Sequence, residues 1–227
     1  MANKKDNGGE RPLGTPAQED KLVQMACAKI LGAIYEADFL PVSYGYRPSA
    51  SAKDAVSDLG FNLQYGRFGY VVEADIKGYF DNIDHDRLLQ MLSFRIDDKA
   101  FLSFIRQWLK AGILDIDGQI LHPVTGSPQD GIVSPILANV YLHHVIDLWF
   151  EKVVKPHSQG QALLIRYADD YVCAFRYRCD AERFYQAMPK RLAKFGLAVA
   201  PDKTRILSFI RFHPGLRRRF AFLGIIR

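Results

Sequence analysis

The sequence predicts an α+β fold in which helices are interleaved with antiparallel strands, and three observations support this prediction. Apolar residues recur at helical spacing over 17–35 and 51–63, and again beyond residue 134. Short apolar, β-rich runs bounded by turn residues occur at 69–76, 113–122, 163–166 and 171–175. Together these runs predict at least two antiparallel hairpins, which are typical of α+β folds and not of a doubly wound parallel sheet.

Composition narrows the protein class. Of the 227 residues, 48% are hydrophobic and 24% are charged, which is typical of a globular chain with a packed core and excludes a disordered, collagen-like or coiled-coil protein. No apolar run approaches the roughly 20 residues of a membrane span, and the polar N-terminus does not resemble a signal peptide. The three cysteines form neither a disulfide framework nor a zinc-type pair. We therefore expect a reduced, cytoplasmic protein with no membrane partner.

Local signals place the elements of the first half of the chain. Apolar residues at every fourth position from Leu22 predict the helix at 17–35. The strand at 69–76 ends on an acidic residue. Asp84 and Asp97 are predicted N-cap residues of two short helices, which end near residues 92 and 110.

Turn and cap residues organise the second half. Asp117 and Gly118 suit a type I′ turn within a hairpin at 113–122. Ser134 followed by proline predicts the start of a long amphipathic helix that reaches about Val154. The runs at 163–166 and 171–175 predict another hairpin, with the sequence Tyr-Ala-Asp-Asp at its tip.

The last third contains one further helix and a final strand or hairpin. A helix is predicted from Asp180 to about Phe195, with Gly196 as the residue that follows its C-cap. Pro189 lies inside this helix and predicts a kink or a break there. The apolar run at 220–226 predicts the closing strand or hairpin.

Acidic residues at strand ends are the first functional signal. Asp75 ends one predicted strand, and Asp169 with Asp170 forms the tip of a hairpin. Carboxylates among apolar residues are costly to bury unless a cation neutralises them, and Mg²⁺ favours such hard oxygen ligands. Two Mg²⁺ ions would clamp the attacking and leaving oxygens of a phosphoryl transfer. A bare Asp-Asp pair is also common in simple polar turns, so this pair alone does not decide the function.

The context of this pair resembles the palm of reverse transcriptases. The motif Tyr-Ala-Asp-Asp at 167–170 follows Asp-Ile-Lys-Gly-Tyr-Phe at 75–80. The blocks at 41–48 (Pro-Val-Ser-Tyr-Gly-Tyr-Arg-Pro) and 126–139 are similar to those of the group II intron-encoded, maturase-type branch. Further blocks match in the right order at 11–16, 202–204 and 222–224, so the resemblance covers nearly the whole chain.

The resemblance implies a right-hand polymerase palm, an antiparallel sheet packed on helices, with partial fingers. It places partial fingers at 1–70 and the palm at 71–227, with further fingers elements inserted at about 95–130. The family's metal-binding aspartates match Asp75, Asp169 and Asp170, with the backbone carbonyl of Ile76 as a further metal ligand. Asp170 is expected to contribute less directly than the other two.

The resemblance also implies residues that bind the nucleotide. Phe80 matches the steric gate that excludes a 2′-hydroxyl, and Gln129 matches a residue near the incoming nucleotide. Lys5 and Arg11 match fingers cations that grip the triphosphate. Lys203 matches a lysine proposed to protonate the departing pyrophosphate as a general acid. Without the motifs, Phe80 would be interpreted as a core residue. The three cations would then be interpreted as ordinary surface residues.

Two departures from the family pattern stand out. Asp130 replaces the first glycine of the family's Pro-Gln-Gly-Gly, which puts a carboxylate beside the predicted nucleotide pocket. The sequence also begins within the family's fingers and ends after the block at 222–224. The expectation is therefore no thumb, poor and distributive primer extension, and self-association through the surface that a thumb would cover.

Charge is distributed unevenly along the chain. Residues 203–227 contain seven basic and no acidic residues, whereas the first 202 residues carry a net charge of −2 and the whole chain +5. Arg217, Arg218 and Arg219 are the densest part of this cluster. It is either a nucleic-acid-binding edge or a solvated surface run.

The leading functional hypothesis is an RNA-directed DNA polymerase that uses two Mg²⁺ ions to add deoxynucleoside triphosphates to a DNA primer on an RNA template. One alternative is a non-catalytic, RNA-binding maturase fragment that helps group II intron RNA to splice. Another is a CRISPR-associated reverse transcriptase of the same branch. The three aspartates together favour an enzyme, because a pure RNA-binding module has no need of them.

Overall fold

The computed structural model describes residues 18–110, 126, 131–209 and 222–223 fully, and the backbone alone of residues 3–4, 10–11, 113–114, 120–121, 221 and 225–226. These residues fall into two compact units. The first unit comprises Met1–Asp38 and Gly78–Tyr141, and the second comprises Phe39–Lys77 and Leu142–Arg227. The predicted division into fingers and palm remains a prediction.

The helices and strands alternate along the chain. The helices are α1 (Gln18–Tyr35), α2 (Ala52–Tyr65), α3 (His85–Ser93), α4 (Lys99–Lys110), α5 (Ser134–Leu142), α6 (Lys155–His157) and α7 (Arg178–Ala193). The strands are β1 (Asn3–Lys4), β2 (Glu10–Arg11), β3 (Tyr70–Ala74), β4 (Ile113–Leu114), β5 (Ile120–Leu121), β6 (Ala162–Tyr167), β7 (Asp170–Phe175), β8 (Arg205–Ser208), β9 (Ala221–Phe222) and β10 (Ile225–Ile226). None of the described helices is long and apolar enough to cross a membrane.

The first unit contains α1, α3 and α4 and two short hairpins. Strand β1 pairs with β2 and β4 pairs with β5, both antiparallel, so the hairpin predicted at 113–122 is confirmed. The side chain of Asp84 accepts a hydrogen bond from the amide of Arg87 and caps α3, as predicted. The predicted cap of α4 is wrong by one residue. Asp98, not Asp97, accepts the amides of Ala100 and Phe101, because an N-cap oxygen must reach the second and third amides of its helix.

The second unit is built on one antiparallel sheet with the strand order β6-β7-β3-β8. Side chains alternate between the two faces of the strands. Val172 and Ala174 of β7 pack with Leu59 and its neighbours on α2. On the other face, Phe175 lies 5.3 Å from Phe184 of α7, measured between ring centroids. The sheet therefore has a helix on each face, which confirms the α+β prediction.

Two features of the helices depart from the sequence-based prediction. Helix α7 continues through Pro189, so no break occurs there. Its predicted end is confirmed, because Gly196 has φ +72° and the amide of Leu197 donates to the carbonyl of Leu192. The long helix that begins at Ser134 contains π-helical turns at His143–Asp147 and Phe150–Val154, which the sequence pattern did not predict.

Candidate active site

Strand pairing brings the predicted aspartates to one end of the sheet. In the register of β3 with β7, Ala74 lies opposite Tyr171. Asp75 follows Ala74 and Asp170 precedes Tyr171, so the two carboxylates belong to neighbouring strand ends. Asp169 lies in the two-residue turn that joins β6 to β7. Residues 94 positions apart in sequence thus meet at one edge of the second unit.

The electrostatics show that the three carboxylates interact. The Asp170 side chain is exposed to solvent. Even so, partial loss of hydration and the negative charges of Asp169 and Asp75 raise the pKa of Asp170 to about 6, while the charge of Lys203 opposes this shift. A cation placed among these carboxylates would relieve their mutual repulsion.

Lys203 lies at the site, as the resemblance predicts. Its Nζ atom is 2.8 Å from Oδ2 of Asp75, and 73% of the lysine side chain is exposed. The lysine ends a 3₁₀ turn, Pro201–Lys203, and Thr204 joins this turn to β8. The amide of Ala200 donates to the carbonyl of Asp75 at 2.9 Å, and Ile76 pairs with Val199. These backbone contacts hold the lysine turn against the end of β3.

A cavity of about 330 Å³ in the second unit is lined by these residues and by others that the sequence analysis did not single out. Asp75, Asp170 and Lys203 line it together with Phe222 and Leu223 of the predicted family block at 222–224. The cavity also reaches Glu73, Arg205 and Asp202. Phe222 and Leu223 are thereby placed beside the carboxylates.

Glu73 is the acidic residue at this site that sequence reasoning missed. It lies two residues before Asp75 on β3, so the two side chains share a face of the strand. Its Oε2 atom accepts from Nε of Arg205 at 2.5 Å, and its buried Oε1 atom has no hydrogen-bond partner within the described ranges. The alternation of acidic and apolar residues at 73–75 was the available signal.

The donor set fits a divalent cation in its chemistry. Among the described residues, no three His, Cys, Asp or Glu side chains stand in an arrangement ready to hold a metal ion, and the ammonium of Lys203 pairs with an Asp75 oxygen. The donors are nonetheless carboxylate oxygens that repel one another, which is the environment that Mg²⁺ neutralises. Asp75, Asp169 and Asp170 are the residues that would hold such an ion.

A buried arginine lies next to the turn that carries Asp169. Arg166 is 0% exposed, and its Nε and Nη2 atoms each donate to the carboxylate of Asp147 at 2.7 Å. Nη2 also donates to Oγ of Ser43 at 2.7 Å, and Nη1 donates to the carbonyl of Ala168 at 2.9 Å. Burial acts to raise the pKa of Asp147, but the charge and hydrogen bonds of Arg166 outweigh it and lower that pKa below its usual value.

The block at 41–48 lies along β6 and contacts the turn. The amide of Tyr44 donates to the carbonyl of Arg166, and the amide of Arg166 donates to the carbonyl of Val42, both at 2.8 Å. A Cβ atom on Gly45 would lie 2.3 Å from the amide nitrogen of Ala168, so only glycine fits there. Ala168 itself has φ +55°, a left-handed conformation that costs an L-residue about 1–2 kcal/mol.

The remaining predicted residues fall elsewhere. Phe80 is half-buried in a 3₁₀ turn, Tyr79–Asn82, of the first unit, with its ring centroid 5.3 Å from that of Tyr79. Gly126 packs on this turn, because its amide donates to the carbonyl of Ile83 at 2.9 Å and a Cβ atom would lie 3.0 Å from the carbonyl oxygen of Asp81. The start of the block at 126–139 therefore contacts the turn that carries Phe80.

Several predicted site residues lie outside the part of the chain that the structure describes. Lys5, Gln129, Asp130 and the arginines Arg217, Arg218 and Arg219 lie outside the described residues. Arg11 is described by its backbone alone, which pairs with Asn3 in the first hairpin. Their roles, and the metal contact of the Ile76 carbonyl, remain predictions.

The chain is similar to known reverse transcriptases in sequence. A family model described as reverse transcriptase (RNA-dependent DNA polymerase) matches residues 2–226. The group II intron-encoded protein LtrA of Lactococcus lactis subsp. cremoris is 43% identical over 142 residues, which cover 63% of this chain and 23% of that protein. Protein YkfC of Escherichia coli K12 is 37% identical over 250 residues, which cover 97% of this chain and 64% of that protein. The chain therefore spans less than two thirds of the length of these relatives.

Solved structures agree on the fold. Apo telomerase from Candida tropicalis superposes with a TM-score of 0.68 at 13% identity, over 90% of this chain and 39% of that one. This similarity confirms the predicted polymerase fold. Members of the matched family generally use divalent metal ions. The chain belongs to the reverse transcriptase family, and its predicted resemblance to the group II intron-encoded branch is confirmed.

Proposed function

We propose that this chain is the catalytic core of an RNA-directed DNA polymerase, which extends a DNA primer on an RNA template with deoxynucleoside triphosphates. The observation that carries the proposal is the convergence of Asp75, Asp169 and Asp170 at one sheet edge, with Lys203 paired to Asp75. A module that only binds RNA gains nothing from three mutually repelling carboxylates.

The carboxylates would hold two Mg²⁺ ions, with Asp75 and Asp169 as the principal ligands and Asp170 contributing less. When bound, the ions stabilise the charge on the attacking 3′-oxygen and on the leaving pyrophosphate. The chain's own part is to fix the two ligand-bearing strand ends through the β3–β7 pairing. Rigid placement matters, because a misplacement of about 1 Å lowers a rate about 100-fold.

Lys203 would act as the general acid of the same reaction. Its ion pair with Asp75 places an ammonium proton at the catalytic carboxylates. In the proposed step, the primer 3′-hydroxyl gives its proton to water and its oxygen bonds to the α-phosphorus. The bond to pyrophosphate breaks, and Lys203 gives its proton to the departing oxygen. A positioned acid of this kind contributes about 10²–10⁴-fold to a rate.

Nucleotide and nucleic-acid contacts complete the proposal. Phe80 would exclude the 2′-hydroxyl, Gln129 would lie near the incoming nucleotide, and Lys5 with Arg11 would bind the triphosphate. The basic residues of 203–227 would contact template and primer phosphates, because clustered cations gain affinity by releasing counterions. Group II intron RNA is proposed as a further partner, since one relative is named as a group II intron-encoded protein.

Primer extension with Mg²⁺ on an annealed RNA template tests the function. The wild-type chain is compared with Asp169→Asn and with the matched control Glu182→Gln, which changes a carboxylate of an exposed ion pair on α7. We expect extension by the wild type and the control, and none by Asp169→Asn. Equal extension by Asp169→Asn would overturn the catalytic assignment. Salt-dependent RNA binding without extension by any form would instead support the RNA-binding maturase.

Sugar selectivity has its own test. Replacing Phe80 by Ala removes the ring proposed to lie against the sugar, so ribonucleotides should be incorporated at least tenfold more readily relative to deoxynucleotides. The ratio of the two incorporation efficiencies measures this, and Phe94→Ala, which removes a largely exposed ring of the same unit, is the control. A constant ratio would make Phe80 a packing residue alone.

A further inference from the structure

We propose that Arg166 is a positioning residue, which sets the shape of the turn that carries Asp169. The proposal rests on the proposed function, because the turn matters only if its carboxylates act on the reaction. Its hydrogen bonds go to Asp147, Ser43 and the carbonyl of Ala168. It acts through the backbone of Ala168.

One guanidinium joins three separate parts of the second unit. It contacts Asp147 with two nitrogens, the hydroxyl of Ser43 and the carbonyl of Ala168, all within 2.7–2.9 Å. The planar fork of arginine fixes these directions relative to one another, which a lysine cannot do. The position of the Ala168 carbonyl is therefore tied to two partners distant in sequence.

The carbonyl of Ala168 belongs to the peptide group that leads into Asp169. Fixing this oxygen fixes the plane of that peptide and with it the direction in which the Asp169 side chain leaves the turn. Ala168 holds a left-handed conformation, which persists only where the surroundings enforce it. Arg166 supplies that constraint from one contact, and the close approach of Gly45 to the Ala168 amide supplies another.

A purely structural ion pair would predict a different outcome on substitution. Replacing both members of a buried pair by apolar residues of similar volume is often neutral for stability. The double variant Asp147→Leu with Arg166→Met should therefore stay folded while it loses the hydrogen bond to Ala168. This variant therefore separates an effect on turn geometry from an effect on the stability of the fold.

The test measures the maximal rate and the nucleotide KM of single-nucleotide incorporation, together with the melting temperature and amide hydrogen exchange across 162–175. The control replaces the exposed pair on α7, with Arg178→Met and Glu182→Leu. In the double variant we expect a maximal rate about 100-fold lower, little change in KM, a melting temperature close to that of wild type, and faster exchange at 168–170. The control should match wild type in all four measurements.

A folded double variant with wild-type rate and wild-type exchange would overturn the proposal. If the double variant does not fold, Ser43→Ala tests the positioning role instead, because it removes one partner of Arg166 and keeps the ion pair with Asp147. It should lower the maximal rate several-fold with a melting temperature lower by only a few degrees, and an unchanged rate would overturn the proposal. Faster exchange at the turn in a protein whose wild type never extends primers would instead refute the proposed function and leave the positioning role standing.

Discussion

Two cations lie beside the predicted catalytic aspartates, and they differ in how far they are buried. Arg166 is fully buried and makes four short hydrogen bonds to three partners. Lys203 is 73% exposed and holds Asp75 through an ion pair of 2.8 Å. One cation is part of the folded framework, whereas the other lies at the solvent-exposed mouth of the site.

The difference follows from what burial does to an ion pair. A buried charge that loses its partner is strongly destabilising, so Arg166 cannot leave Asp147 without disturbing the fold. The Asp75 side chain is 18% exposed, but its partner Lys203 is largely exposed, and pairs screened by solvent in this way contribute about 1 kcal/mol or less. In the proposed reaction, Lys203 would therefore release Asp75 to a metal ion and move toward the departing pyrophosphate. The site thus combines a fixed turn with an exchangeable charge partner.

The largest expected effect comes from removing the carboxylate that pairs with Lys203. Asp75→Asn should lower primer extension by at least about 10³-fold, because the metal ligand and the anchor of Lys203 are lost together. Folding should be little affected, since the loss of one exposed ion pair is offset by weaker repulsion of Asp170. The extension rate measures the loss of activity, and circular dichroism measures whether the variant is folded. Extension within tenfold of wild type would contradict the assignment of Asp75 as a metal ligand and as the partner of Lys203.

The second effect tests the buried partner. Arg166→Met alone leaves Asp147 charged and buried, and should lower the free energy of unfolding by about 3–5 kcal/mol. Lys203→Met, as the matched exposed change, should lower it by less than about 1 kcal/mol. Urea unfolding of both variants gives the values. Similar losses in the two variants would mean that burial does not distinguish the two cations.

The third effect tests the exchangeable partner. Lys203→Met should reduce the maximal extension rate about 100-fold, because the proton donor is lost. It should also lower the Mg²⁺ concentration needed for half-maximal rate, since no ammonium competes for Asp75. A metal titration of the extension rate measures both quantities. An increased metal requirement would show that Lys203 helps to assemble the site and does not compete for it.

The same contrast explains what the sequence could predict. Asp75, Asp169 and Asp170 occur in short motifs at strand ends, where local pattern and family resemblance both single them out. Lys203 is singled out by the family resemblance alone. Arg166 gave no such signal, because the side chains that it binds, those of Asp147 and Ser43, lie 19 and 123 residues away and only the folded chain brings them together.

Local errors have similar causes. Asp97 and Asp98 are equivalent as candidate caps until the helix start is known, and Asp98 makes the hydrogen bonds. Pro189 did not break α7, because packing of residues such as Phe184 and Met188 in the core stabilises the helix beyond its local propensity.

The smallest effect concerns the repulsion among the carboxylates. The folded-state pKa of Asp170 is about 6, above its ordinary value of 3.8. Between these values the folded protein retains a proton that the unfolded chain has released, so the free energy of unfolding falls as pH rises from about 4 to about 6.

Asp170→Asn removes this dependence. Without divalent cations, the variant should exceed wild type by about 1 kcal/mol at pH 7, after allowance for solvent screening of an exposed group, and match it near pH 4. Urea unfolding at the two pH values in EDTA measures the difference. A variant no more stable than wild type at pH 7 would mean that the three carboxylates do not repel one another as the folded geometry requires.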